Sequence, residues 1–336
     1  MIFDNTDRNS TLYDLSKTDT YRLGSKKIFK RSLFERGSNL QNVPKDLRRI
    51  YIPDEGKIFV QIDQAGAEAL IVAYSAKAGK FRDLFIYGIK PHVYIGLHFP
   101  EHWEQEHPYI HEIRLLPINL ITQHPKWKVL EKAIKDSDYN PPKTRYYYLY
   151  KQTCHSANYG ITTNPFILNV LLKSKGNIVL SHREGDKFLN TYRKTFPEIP
   201  EWNDKVKNEL YRSRCVYNMF GYPRVVTGSL ADDQTLKDYI AFGPQSTVGC
   251  ITHIATTNLQ QHIEVNKLEW DILNNGHDSY LIQCPVYEAD LCVKQARLFM
   301  EQELTGSDGT IFHMKSEATT GYNWAPKSET NPEGLH

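Results

Sequence analysis

The stretch "IFVQIDQAGAEALIVAY", Ile58 to Tyr74, constrains the fold more than any other part of the chain. Ile58, Phe59, Val60 and Ile62 read as a buried strand ending on Asp63. Small residues follow, and Glu68 opens a helical apolar pattern through Leu70, Ile71, Val72 and Tyr74. A core strand that finishes on a carboxylate, with a second carboxylate five residues on, needs a chemical reason.

The rest of the chain supplies partners for that strand. The turn "PDEG" feeds it, and "WDILNNGHDSYLIQC" reads as a hairpin with His277 and Asp278 at its tip. Placing both in one sheet brings Asp63 and Asp278 together, although they lie 215 residues apart. Residues 1–20 read as a polar, irregular lead-in, and residues 100–143 as an insertion of short helices. A helix is predicted from Thr144, ending near Gly160, another over 181–213 broken at "FPEIP", and a long one from Thr247 to Val265. "VYNMFGYPRVV" reads as a second hairpin. Strands interleaved with helices define an α+β chain.

Bulk properties exclude several classes. No apolar run reaches the 18 or so residues a membrane span needs, so no membrane partner is expected. The polar N-terminus does not read as a secretory signal. Five cysteines without CxxC spacing suggest reduced thiols in a cytoplasmic setting. Net charge is only +2, but residues 22–49 hold nine Lys or Arg against two acids, a block able to neutralise phosphates.

Two carboxylates at a sheet edge, with a carbonyl such as that of Gln64, suit Mg²⁺, which takes few carboxylates and completes its shell with water and phosphate. Two such ions about 4 Å apart can activate a 3′-hydroxyl and stabilise leaving pyrophosphate. Tyr147, Lys151, His155 and Tyr159 recur every four residues and form one helix stripe. A cation, an imidazole and two phenols do not make a core face; they suit a nucleoside triphosphate lying along it. "HWEQEHPYIH" also pairs His107 with His111, but it lacks the HExxH order and Pro108 sits inside the pair.

"QIDQAGAEAL" resembles motif A of family A DNA polymerases, "YLYKQTCHSANYG" their motif B, and "GHDSYLIQC" their motif C. "TYRLGS", "NLQNVP", "IKPHVYIG", "GPQSTVG" and "GYNW" resemble further family strings, and all fall in family order, with a mid-helix His most like phage versions. The resemblance implies a palm sheet with a helical fingers subdomain: palm over 21–99 and 214–336, fingers with the insertion over 100–213. It implies template-directed DNA synthesis from dNTPs on a primer-template, in the cytoplasm of a phage-infected bacterial cell. Asp63, Asp278 and Lys151 would be catalytic, with two Mg²⁺ on Asp63, Gln64 and Asp278. Glu68, His92, Arg145, Lys151, His155 and Tyr159 would bind nucleotide, with Glu68 and Tyr159 leaving no room for a 2′-hydroxyl. Arg22, Gln41, Arg224, Gln245 and His277 would contact primer-template.

Some positions depart from the family pattern. Gln64-Ala65-Gly66 replaces Tyr-Ser-Gln, Ser279 replaces a Glu, and Tyr147 stands where an Arg is usual, with Arg145 two residues earlier as its substitute. The resemblance starts at the palm, so the expectation is a chain without thumb or exonuclease, which is either the C-terminal piece of a longer protein or is complemented by a second polypeptide. A catalytically inactive DNA-binding accessory subunit is the alternative, opposed by retention of Asp63, Glu68, Lys151, Tyr159 and Asp278. A single-subunit RNA polymerase is opposed by Glu68 as a sugar gate.

Overall fold

The computed structural model describes residues 8–14, 17–26, 39–136 and 145–336. Of the basic block, Lys27, Lys30, Arg31 and Arg36 lie outside the described residues, as does Thr144. The expected lead-in is not wholly irregular: β1 (Leu12–Asp14) pairs antiparallel with β2 (Gly24–Lys26). Tyr13 explains the order, since its hydroxyl donates to Asn274 Oδ1 at 2.5 Å and accepts from the Asn275 N–H at 2.7 Å.

β3 (Lys57–Gln64) begins after a turn in which Gly56 takes φ +75° and the Lys57 N–H donates to Asp54 O. α1 (Ala67–Ser75), α2 (Lys80–Ile86) and α3 (Pro91–Leu97) follow. The expected insertion carries the short helices α4 (Ile110–Ile113) and α5 (Ile118–Ile121) and then α6 (Trp127–Asp136). α7 (Tyr146–Ala157), α8 (Thr163–Lys173), α9 (His182–Thr195) and α10 (Glu198–Ser213) come next. A hairpin of β4 (Cys215–Tyr217) and β5 (Pro223–Val225) leads to α11 (Asp233–Asn266). β6 (Asp271–Asn275), β7 (Ser279–Pro285), α12 (Ala289–Met300), β8 (Glu303–Thr305), β9 (Ile311–His313) and β10 (Ser316–Gly321) complete the chain.

The main sheet is antiparallel, in the order β10-β3-β7-β6. Alternation along β3 decides what the site receives. Val60, Ile62, Tyr280, Ile282 and Cys284 are buried in the core with Ile251, Ala255, Ala296 and Met300 of α11 and α12. The alternate residues point the other way, where Phe59 and Leu281 join Leu40, Val43 and Trp324 in a small cluster. Asp63 belongs to this second set.

α11 is longer than the sequence predicts, beginning at Asp233 rather than Thr247. Gly243-Pro244 reads as a break, yet Tyr239, Ile240, Ala241, Phe242 and Pro244 are all buried and the helix runs through. Burial on that scale outweighs the roughly 3 kcal/mol an interior proline costs. The Asp232 carboxylate caps the new start by accepting from Thr235 N at 2.7 Å.

Candidate active site

Asp63 pairs across the sheet with Ser279 of β7 on one side and Glu317 of β10 on the other. Asp278 immediately precedes β7, and its carbonyl accepts from the Gln64 N–H at 2.9 Å. That bond ties the end of β3 to the hairpin tip and brings the two aspartates together. Burial, reinforced by the Asp278 and Glu317 charges, pushes the Asp63 carboxyl up to about 7. Glu317 was not among the expected residues; its segment "SEATTG" is short and polar, and only the pairing reveals its position.

Gln64 faces the opposite way. Its amide Nε2 donates to Val248 O at 3.1 Å and Thr252 Oγ1 at 2.7 Å, anchoring β3 on α11. Any metal contact from this residue therefore falls to its backbone carbonyl. Among the described residues no group of three or more His, Cys, Asp or Glu side chains is placed to hold a metal. A crowded, partly buried Asp63 beside the Asp278 carboxylate still fits a divalent cation that completes its shell with water and phosphate.

Beside this cluster stands a balanced one. Arg22 donates to Glu68 Oε1 at 2.5 Å, and the Tyr159 hydroxyl donates to Glu68 Oε2 at 2.6 Å. Burial works to raise the Glu68 carboxyl, but the Arg22 charge and the two hydrogen bonds outweigh it and hold it below its ordinary value. Tyr159 sits buried in the turn just past α7, its own ionisation pushed far up by burial and by Glu68. His155 stands edge-on to Tyr159, and burial lowers its pKa against the pull of Glu68. Arg22 is thus committed to Glu68 here, with its Nε buried and unpaired.

The α7 stripe divides between partners. Lys151 is exposed. Tyr147 holds His92 through a 2.7 Å bond to Nε2, and burial with nearby lysines drops His92 to about 3. Arg145 lies at the N-cap of α7, 3.8 Å from Glu184 in an exposed pair, rather than on the stripe. His107 and His111 are taken up locally by Tyr109 and Glu104.

Of the expected DNA-contacting residues, Gln41 and His277 line a cleft of about 200 Å³ with Asp63, Asp278, Arg48 and Trp324. The Gln41 amide donates to Leu23 O and Asn275 O, both at 2.9 Å, and its Oε1 accepts from Ser25 N. His277 lies exposed at the hairpin tip, where partial loss of water around its ring and the Arg22 charge lower its pKa against Asp278 and Glu68. Gln245 is half-buried on α11. Arg224 stands apart, paired with Asp19 at 2.8 Å and lying over Tyr239. A larger hollow of about 360 Å³, lined by Trp202, Tyr239 and Pro244 among others, contains none of the expected site residues.

No protein-family model matches the chain. Over 297 residues, 85% of this chain and 29% of the other, it is 20% identical to DNA polymerase I of Caldicellulosiruptor bescii. Its fold matches the POL domain of Pol1 from M. smegmatis, solved in complex with DNA primer-template and dNTP, with a TM-score of 0.68 at 15% identity. That match covers 96% of this chain and 49% of the other. The fold is therefore that of a Pol I polymerase domain, and the chain spans about half or less of the proteins it matches. Among the described residues no helix is long and apolar enough to cross a membrane.

Proposed function

We propose that the chain carries the palm and fingers of a family A DNA polymerase and adds dNTPs to a primer 3′-hydroxyl on a template. The observation that carries this reading is the convergence of Asp63 and Asp278 at one sheet edge, beside the Glu68–Tyr159 pair and the α7 stripe. Asp63, Asp278 and the Gln64 carbonyl would hold two Mg²⁺ ions, which when bound supply charge stabilisation to the attacking and leaving oxygens. The protein's own part is positioning. Lys151, exposed on α7, meets the triphosphate. Glu68 and Tyr159, locked together, fill the space a 2′-hydroxyl would need. His155 stands on the sugar side of that pair, and His92 borders the phosphate path while held neutral by burial. Donors from Gln245 and His277 suit minor-groove acceptors, which every base pair presents, and Gln41 adds one only by releasing Leu23 O or Asn275 O. Arg22 joins them only by leaving Glu68.

The grip on duplex in this reading rests on few contacts. We expect weak, salt-sensitive binding and short runs, lengthened by a second polypeptide that holds the duplex. The test is extension of a labelled primer by the purified chain with Mg²⁺ and all four dNTPs. Template-directed products from wild type, absent in Asp63→Asn, are expected. Binding of primer-template without extension would replace this reading with an inactive accessory subunit.

A further inference from the structure

The cleft that holds Asp63 and Asp278 is lined as well by Arg48 and Trp324, which have their own chemistry. Arg48 lies there with its guanidinium 4.5 Å from the centre of the Trp324 ring. The ring is fixed in turn. Its Nε1 donates to Gln61 Oε1 at 3.0 Å, and Tyr51 packs edge-on against it at 5.7 Å. Arg48 Nε donates to Val43 O at 3.2 Å, which sets the plane of the guanidinium and leaves its two Nη groups for another partner.

What marks Arg48, among the described residues, is its place in the cleft over Trp324 without a close carboxylate. Arg8, Arg22, Arg82, Arg224 and Arg297 each have a carboxylate within 2.8 Å. Among the described residues no carboxylate pairs with Arg48, although burial already weighs against its charge. A half-buried, pre-oriented guanidinium without a counter-ion favours an anion, and its fork matches phosphate oxygens. The cleft therefore holds, besides Asp63 and Asp278, one cation that no carboxylate pairs with among the described residues.

We propose that Arg48, held over Trp324, binds one phosphodiester of the primer strand close to its 3′ end. Because the two aspartates and Arg48 share one cleft, together they set the direction of the strand. The terminal hydroxyl lies at Asp63 and Asp278, and the backbone behind it turns its negative charge to Arg48. The inference rests on the polymerase reading and adds to it a specific phosphate contact that locates the 3′ end.

The experiment measures wild-type affinity for primer-templates in which a neutral methylphosphonate replaces one primer linkage at a time, counted from the 3′ end. Expected is a loss of about tenfold at one linkage near the end, with small losses elsewhere. Arg48→Met, which keeps an unbranched side chain of similar reach beside Trp324 but no charge, should lose about tenfold on native DNA and nothing more at that linkage. Arg48→Lys should recover part of the loss. The slope of log K against log salt should fall by about 0.9 in Arg48→Met. Thermal melts show whether that variant folds, and the wild-type scan stands without it. Equal losses at every linkage, or an Arg48→Met effect confined to the KM for dNTP, overturn the phosphate contact while leaving polymerisation in place. A wild-type chain that binds no primer-template overturns both readings.

Discussion

Two carboxylate sites stand side by side, and they solve opposite problems. Glu68 has both oxygens occupied, by Arg22 and Tyr159, and its charge is stabilised within the protein. Asp63 has two carboxylates for neighbours and is raised to about 7. A protein that needed only a folded sheet edge would not gather these acids without a cation. The balanced site needs nothing from outside, so the proposed function gives it a role in shape. The unbalanced one would gain stability from a cation, so the proposed function gives it a role in binding.

The largest effects should come from the unbalanced site. Asp63→Asn and Asp278→Asn should each reduce nucleotide addition by at least about a hundredfold, measured by single-turnover extension. Extension within about tenfold of wild type in either variant would break the contrast. Stability should move the other way in the absence of metal. Because folding raises the Asp63 pKa, the folded chain binds the extra proton, and its contribution falls as pH rises from about 4 to about 7. Melts in chelator should show that slope for wild type and lose it in Asp63→Asn, which should be the more stable of the two at pH 8. Added Mg²⁺ should raise the wild-type Tm and leave the variant unmoved.

Lys151 extends the comparison to a cation. Lys151→Ala should lower kcat/KM for dNTP by about tenfold to a hundredfold, with both KM and kcat affected, since a phosphate charge is left unmatched in binding and in the transition state. Steady-state kinetics on a fixed primer-template decide it, and unchanged constants would remove the α7 stripe from the nucleotide site.

At the balanced site the signs should reverse. Glu68→Gln leaves Arg22 partly buried without its charge partner and should cost about 1–3 kcal/mol in a denaturant melt. Glu68→Ala should admit ribonucleotides, narrowing dNTP over rNTP preference by about tenfold while reducing dNTP addition less. A Glu68→Gln variant as stable as wild type would mean the ion pair is incidental.

Sequence patterns carried one half of this contrast further than the other. Asp63 ends an apolar strand and Asp278 sits at a hairpin tip, so local pattern brings them to one sheet edge. Glu317 was illegible because β10 is a six-residue polar strand whose register alone gives it meaning. The Arg22–Glu68 bond joins residues 46 apart through side chains, with no backbone periodicity to announce it. Arg22 was accordingly expected on DNA rather than on Glu68. The first part of α11 was hidden by Gly243-Pro244, a local break signal overruled by buried contacts on either side of it. Arg48 was visible only as one cation of a block; its place over Trp324 depends on residues 276 positions away.

The smallest expected effect on rate is also the most discriminating. Ser279 sits opposite Asp63 in β7, at the position where the resembling family carries a Glu. Ser279→Glu would place a further carboxylate beside Asp63, already raised by two others. If the cluster exists to receive cations, the added charge is neutralised in Mg²⁺, and extension should change by less than about threefold. In chelator nothing neutralises it, so the variant should be less stable than wild type at pH 8 and the difference should shrink toward pH 5, as the carboxyls take up protons. Paired melts with and without Mg²⁺ measure this directly. Equal destabilisation in both conditions would point to a steric fault, since Ser279 Oγ lies only 2.5 Å from where a Cβ on Gly276 would be, and would leave the cation-dependence of the cluster unsupported.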